Sequence, residues 1–320
     1  MTAVAAMVAS SSGAYPQDTV PVIGYLSSES PERFATRLGA FHDGLRETGF
    51  EERRNLRVEY RWAEGHNEAL PSLAADLVAR NVAVLVAPGS IASALAAKAA
   101  TKTIPIVFET GTDPVNAGLV PSLQRPGGNI TGVSSLNAEV GPKRLELLHS
   151  VLPAAKRFAL LVNPRNPKNA ESVTRDLRAA AARRGLEIHL LEAGTEEEVE
   201  AAFGTAARVR AAGLVIANDI FYATRTGQIA GLATRHALPA IHQSPEFATA
   251  GGLMSYGGDV RQSHREAGVY TGRILKGEKP ADLPIQQVTR IYMAINLKSA
   301  AALGLTIPPT LLALADEVIE

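Results

Sequence analysis

Short apolar runs and longer half-apolar runs alternate along almost the whole chain, and the series occurs twice. From Val22 an apolar run (VIGYL) leads through a polar break (SSESP) into a long amphipathic stretch that ends in glycine (FATRLGAFHDGLRETG). Then follow LRVEYRW, the helical LPSLAADLVAR, VAVLVA, the turn PGS, another helical stretch and IPIVF. From Phe158 the order returns: FALLV, NPRNP, a helix ending in ARRG, LEIHLL, a helix, GLVIA, NDIF, a helix and LPAIH. The offset is about 130 to 136 residues throughout, so a whole architecture is duplicated. Runs such as VAVLVA and GLVIA are apolar on both faces and rich in β-branched residues, which predicts parallel strands covered by helices on both sides. The fold class predicted is α/β, with two similar doubly wound parallel-sheet lobes. Within the helix predicted over Phe34–Arg46, Phe34, Leu38, Phe41 and Leu45 form the apolar stripe. Arg37, Asp43 and Glu47 are assigned to the polar side, and Gly49 stops the helix.

Two such lobes imply a cleft between them, and the strand ends facing it are where a ligand is expected. The stretch Arg125–Ser135 (RPGGNITGVSS) reads as a turn and a short strand making the first crossing between lobes. A second crossing is placed at the glycine pair near Ala250–Gly252, and LPIQQVTRIYMAI carries a third. The division expected is residues 21–133 plus 252–286 for the first lobe and 134–251 plus 287–320 for the second. Three crossings make a hinge. Residues 1–20, rich in Ala and Ser with no charge before Asp18, read either as a disordered terminus or as the remnant of an export signal that lacks its basic start.

Composition removes several classes. Lys+Arg and Asp+Glu are both 32, so the net charge is zero and nucleic acid is not expected as a partner. No stretch reaches the roughly 20 apolar residues of a membrane helix. There is no cysteine, which excludes disulfides and thiolate chemistry.

The phrases VIGYLSSESPE at Val22, IPIVFETGTDPVNAGLV at Ile104, RPGGNITGVS at Arg125, LLVNPRNP at Leu160, GGLMSYG at Gly251 and AGVYTGRILKGEKPADLPIQQ at Ala267 resemble one family. VEYRWAEG at Val58 and INLKSAAALGLTIPPTLLALADEVIE at Ile295 belong to the same resemblance, which covers nearly the whole chain from Pro21. It is the bacterial substrate-binding proteins of ABC importers, in the group with tryptophan- and aromatic-amino-acid-binding members. The resemblance implies the type I periplasmic binding fold, a periplasmic location, and an ABC permease and ATPase as partners. It also implies a ligand that is an amino acid or related small carboxylate. A monomer is expected.

Polar residues at the strand ends are the ligand-binding candidates. In the first lobe they are Ser27 and Ser28 after the first strand, Gly89 and Ser90 after the third, and Thr110 and Asp113 after the fourth. Serine hydroxyls and free helix N–H groups suit a carboxylate, with no Arg or Lys in these loops; the same residues also suit plain helix capping. In the second lobe Asn163 and Asn169 (with Asn166 between them) mirror the serine loop, and Asp219 mirrors Gly89 and Ser90. Asp219 is the candidate partner for an ammonium group. Relatives that bind aromatic amino acids carry Thr-Asp-Asn here, whereas this chain has Asn218-Asp219-Ile220, so the acid is kept and its flanks differ. Phe221 and Tyr256 are candidate ring contacts.

Catalytic patterns do not emerge. Gly-x-Ser-x-Gly, a P-loop and Gly-x-Gly-x-x-Gly after a strand are missing, and the seven histidines form no metal-binding pair. No catalytic residue, cofactor or metal is therefore expected. The reading is a transport binding protein, with a cytoplasmic ligand sensor or α/β enzyme as the alternative.

Overall fold

Strands that are apolar on both faces need cover on both faces, and the helices between them provide it. The computed structural model describes residues 20–135, 137 and 140–320. The terminal segment, read above as either a disordered terminus or the remnant of an export signal, lies, up to residue 19, outside the described residues. The first half runs β1 (Val22–Ser27), α1 (Pro31–Glu47), β2 (Arg57–Trp62), α2 (Leu70–Ala79), β3 (Val84–Ala87), α3 (Ile91–Ala100), β4 (Ile106–Thr110), β5 (Ile130–Ser134) and α4 (Gly141–Val151). The repeat runs β6 (Arg157–Val162), α5 (Pro167–Ala182), β7 (Glu187–Glu192), α6 (Glu196–Arg208), β8 (Leu214–Ile216), α7 (Ile220–Ala223), α8 (Thr226–Arg235), β9 (Ala240–His242), α9 (Pro245–Thr249) and β10 (Met254–Gly258). The remainder is α10 (Val260–Leu275), β11 (Gln286–Gln287), β12 (Ile291–Asn296), α11 (Leu297–Ala302), α12 (Pro309–Leu312) and β13 (Glu317–Ile319).

One sheet has the order β11-β5-β4-β3-β1-β2, the other β13-β12-β10-β9-β8-β6-β7. Removing the late strands leaves 5-4-3-1-2 in one and 10-9-8-6-7 in the other, the same winding twice. Pairing is parallel throughout the first sheet; in the second, only β12 meets β10 antiparallel. The alternation of side chains splits each strand between two cores. On β1, Ile23 and Tyr25 pack with Phe34, Phe41 and Leu45 of α1, while Leu26 packs with Leu70, Leu77 and Ile91 on the opposite face.

The second crossing differs from the sequence reading. Residues 252–258 belong to the second sheet, because β10 pairs with β9 and β12 there. The glycines at 251 and 252 cap α9: Gly251 adopts φ +101° and the Gly252 N–H donates to Phe247 O at 2.8 Å. A glycine pair reads the same in sequence whether it ends a helix or links two lobes. The chain returns to the first lobe one strand later, at Asp259, whose side chain caps α10. It leaves again between β11 and β12.

Helix α10 docks on α1 so closely that their backbones touch. A Cβ on Gly268 would run into Phe41 O and Leu45 N, and one on Gly44 into Arg265 O. Backbone cannot yield as a flexible side chain can. Gly268→Ala is therefore expected to cost about 1–3 kcal/mol by overpacking, despite alanine's better helix propensity. Gly231→Ala in α8, where a Cβ meets nothing within 4 Å, is the matched control and should hold or raise Tm. Equal melting behaviour in the two variants would contradict the close approach.

Candidate functional site

The carboxyl ends of β1, β3 and β4 face those of β6, β8 and β9 across the gap between the lobes. The cleft there is nearly closed, with a cavity of about 30 Å³ between the two walls. From the first lobe, Gly89, Ser90, Thr110 and Thr112 line it; from the second, Asn166, Asn218, Asp219 and Gln243 do. Three further residues come from outside the strand-end loops' first turns: Arg37 of α1, Glu109 at the end of β4, and His264 of α10.

Arg37 overturns its assignment to the polar side of α1. It is 7% exposed, one turn beyond Phe34 on the buried stripe. Its one hydrogen bond among the described residues runs from Nη2 to Ala223 O at 3.5 Å, across the cleft. Burial pushes the guanidinium down from its ordinary range, and the carboxylates of Glu246, Glu109 and Glu29 pull it back up. A cation this buried and this poorly paired is poised for an incoming anion.

Asp219 lines the opposite wall. Its Oδ1 accepts from Asn163 Nδ2 at 3.0 Å and from the Phe221 N–H at 3.0 Å, and its Oδ2 accepts from Asn166 Nδ2 at 2.9 Å. Burial pushes its carboxyl above the usual carboxylate range, while the two asparagine donors pull it back. Three of about four acceptor positions are filled, so capacity for one more donor remains on Oδ2.

Two bridges close the cleft's flanks. On one side Thr112 Oγ1 donates to Asn169 Oδ1 at 3.1 Å, and Asn169 Nδ2 donates to Asn218 O at 2.7 Å. On the other, Arg225 Nη1 donates to both oxygens of Glu29, at 3.3 and 3.2 Å, with its guanidinium 3.9 Å above the Phe221 ring. Glu196 joins Arg225 to Arg33 of the first lobe. Burial pushes the Glu29 carboxyl up, partly offset by Arg225.

The sequence candidates divide accordingly. Gly89, Ser90, Thr110 and Asp219 line the cleft. Ser90 also caps α3, accepting from Ser93 N at 3.0 Å, so capping and cleft placement coincide. Asn163 and Asn169 stand one layer back, orienting Asp219 and Asn218. Ser27 is fully buried and accepts from Glu29 N; Ser28 is buried beside it, and neither lines the cleft. Asp113 lies outside it and caps its own turn, accepting from Val115 N and Asn116 N. Phe221 lies under Arg225 instead of facing the cleft. Tyr256 packs against the second lobe's core because β10 sits in that sheet.

Sequence reasoning misses Arg37, Glu109 and His264. Their signal is a charged or polar residue inside an apolar pattern: Arg37 on the Phe34–Phe41 stripe, Glu109 closing the run IVF. Among the described residues no three side chains of the His, Cys, Asp and Glu types gather as a metal site. Among the cleft serines, Ser90 pairs with Ser93 and Ser135 with Asn137, while His264 Nδ1 is held by Val260 O. This arrangement offers polar binding from both walls.

A tyrosine-binding protein of Clostridioides difficile (strain R20291) is 27% identical over 266 residues, 83% of this chain and 75% of its own length. The crystal structure of an ABC domain in complex with L-Trp from Streptococcus pneumonia is 26% identical, with a TM-score of 0.84 over 94% of this chain and 100% of that one. A ligand-free, open substrate binding protein with adhesive properties from Clostridium difficile is 25% identical, with a TM-score of 0.64 over 94% and 99%. The two-lobed architecture is the type I periplasmic binding fold. The sequence profile of the family described as ABC transporter substrate binding protein matches residues 20–319, nearly the whole chain, and the chain belongs to that family.

Proposed function

We propose that this protein is the extracytoplasmic solute receptor of an ABC importer, that its solute is an amino acid, and that the lobes close over it before delivery to a permease. The observation that carries the reading is the pair of opposite charges facing each other across the cleft. Arg37 on the first lobe is a poorly paired cation suited to an α-carboxylate, and Asp219 on the second keeps acceptor capacity suited to an α-ammonium. A ligand that spans both walls binds the closed form better than the open one, and so drives closure. The relatives named for tyrosine and tryptophan support an amino acid. The higher TM-score to the ligand-containing relative than to the open one fits the lobe arrangement of a closed receptor.

The test is calorimetric titration of solute-stripped protein with the twenty amino acids, paired with small-angle scattering. At a hundredfold excess over Kd a bound amino acid adds about 2.7 kcal/mol of stability and should shrink the radius of gyration. No heat and no contraction with any of them would end the amino-acid reading.

A further inference from the structure

An imidazole nitrogen and a carboxylate oxygen meet on the first-lobe wall of the cleft, 3.5 Å apart. His264 Nδ1 lies 2.7 Å from Val260 O, so that nitrogen carries a proton, and in the neutral ring Nε2 keeps its lone pair. Nε2 is fully buried and has no hydrogen-bond partner among the described residues. It lies 3.5 Å from Glu109 Oε2. Glu109 is itself fixed, accepting from Ser263 Oγ at 2.9 Å and from the Gly89 N–H at 3.0 Å. On the facing lobe Asn218 Oδ1 is likewise buried without a partner among the described residues. Its amide is oriented by Asn169, whose Oδ1 is set by the Thr112 hydroxyl. The cleft's unspent polarity is thus mostly acceptors, with Arg37 the charged donor among them.

Apart from the His264 imidazole, no aromatic ring lines the walls among the described residues. Of the described residues that line the cleft none is Phe, Tyr or Trp, and its apolar contacts are Ile91, Ile220, Ala223 and Val260. A flat aromatic side chain would leave buried acceptors unpaired and would find no phenyl, phenol or indole ring to stack on among the described lining residues.

We propose that the solute is a non-aromatic amino acid whose side chain carries a nitrogen donor (an amine, guanidine or amide), and that Glu109 and His264 read that nitrogen. The proposal rests on the amino-acid reading above and narrows it. Burial lowers the His264 pKa, while the neighbouring Glu109 carboxylate pulls it back up. A site built to accept from an N–H rejects the analogue that lacks it, because its own acceptors are then stranded.

Solute-stripped full-length protein would be titrated with matched pairs: lysine against norleucine, glutamine against methionine, arginine against its donor-free aliphatic counterparts, and with tyrosine and tryptophan. At least one nitrogen-bearing member should bind tenfold or more tighter than its partner and than either aromatic. Glu109→Gln should bring that ratio toward unity, whereas a merely structural role would weaken both members equally. Should the variant misfold, the wild-type ratios decide alone. Tightest binding of tyrosine or tryptophan, or equal affinity within every pair, would overturn the proposal while leaving amino-acid binding intact. No binding by any amino acid would remove both.

Discussion

Replacing Arg37 with methionine is expected to weaken amino-acid binding by about 2–5 kcal/mol, some thirtyfold to several thousandfold. The side chain is nearly buried, faces the cleft, and has one long hydrogen bond to Ala223 O among the described residues. A ligand carboxylate would be its main partner, so losing the guanidinium strands a buried anion in the complex. The ligand-free protein should behave oppositely. Methionine matches the length of the chain and removes a buried charge that is poorly compensated, so apo Tm should hold or rise. Arg37→Lys should fall between, since an ammonium cannot make the bidentate contact. The signature is therefore affinity lost with stability kept. Unchanged affinity would assign the carboxylate elsewhere, to the neutral donors Ser90 and the α3 N-terminus that the loop sequences favour. A large fall in apo Tm would make Arg37 a structural strut.

Acid should destabilise the second lobe through His242. This residue ends β9, is fully buried, accepts the Ser244 N–H on Nδ1 at 3.0 Å and sits beside the Phe247 ring. Burial first, then the positive charges of Arg144 and Arg37, lower its pKa to about 3. The folded protein binds fewer protons here than the unfolded chain, whose histidine titrates near 6.5. The stability is therefore fully present above pH 6.5 and is lost as pH falls from 6.5 towards 3. Linkage puts the loss at about 2 kcal/mol between pH 7 and 5 for this one residue. His264, also lowered by burial, adds to it in the same direction. Asp219 and Glu29, whose carboxyls are raised, work the other way: their contribution grows as pH falls through their folded values toward 3.8 and 4.5. Urea melts at pH 7, 6 and 5 check this, with His242→Asn keeping an acceptor for Ser244. The variant should lose less stability per pH unit than wild type. Identical slopes would show that His242 takes up its proton equally in the folded and unfolded states.

Much of the architecture is legible in the order of residues. The β-branched runs at Val82 and Gly213 become buried parallel strands because no water-facing surface is left for them. Legibility fails where one residue pattern serves two purposes. The glycines at 251 and 252 satisfy a helix cap as well as a linker, so the pattern assigns β10 to the wrong lobe. Asp113 and Ser27 are polar at strand ends, yet spend their acceptors on neighbouring N–H groups two or three residues away. Periodicity misplaces Arg37 because a lone cation on an apolar stripe is normally moved to the solvent side when a helix is read by itself.

The sequence alone determined the duplicated series of elements, the parallel sheets and the strand-end loops where a cleft must form. These follow from local periodicity, and each lobe repeats them independently. Only the tertiary structure decided which polar residues face the other lobe. Arg37 and His264 reach the cleft from helices that touch only because Gly44 and Gly268 let the backbones of α1 and α10 meet. Arg225 finds Glu29 across a gap of 196 positions in the chain. Periodicity marks a side chain as buried, but burial against the lobe's own core and burial against the opposite wall leave the same mark. What separates them is the long-range docking of the two lobes.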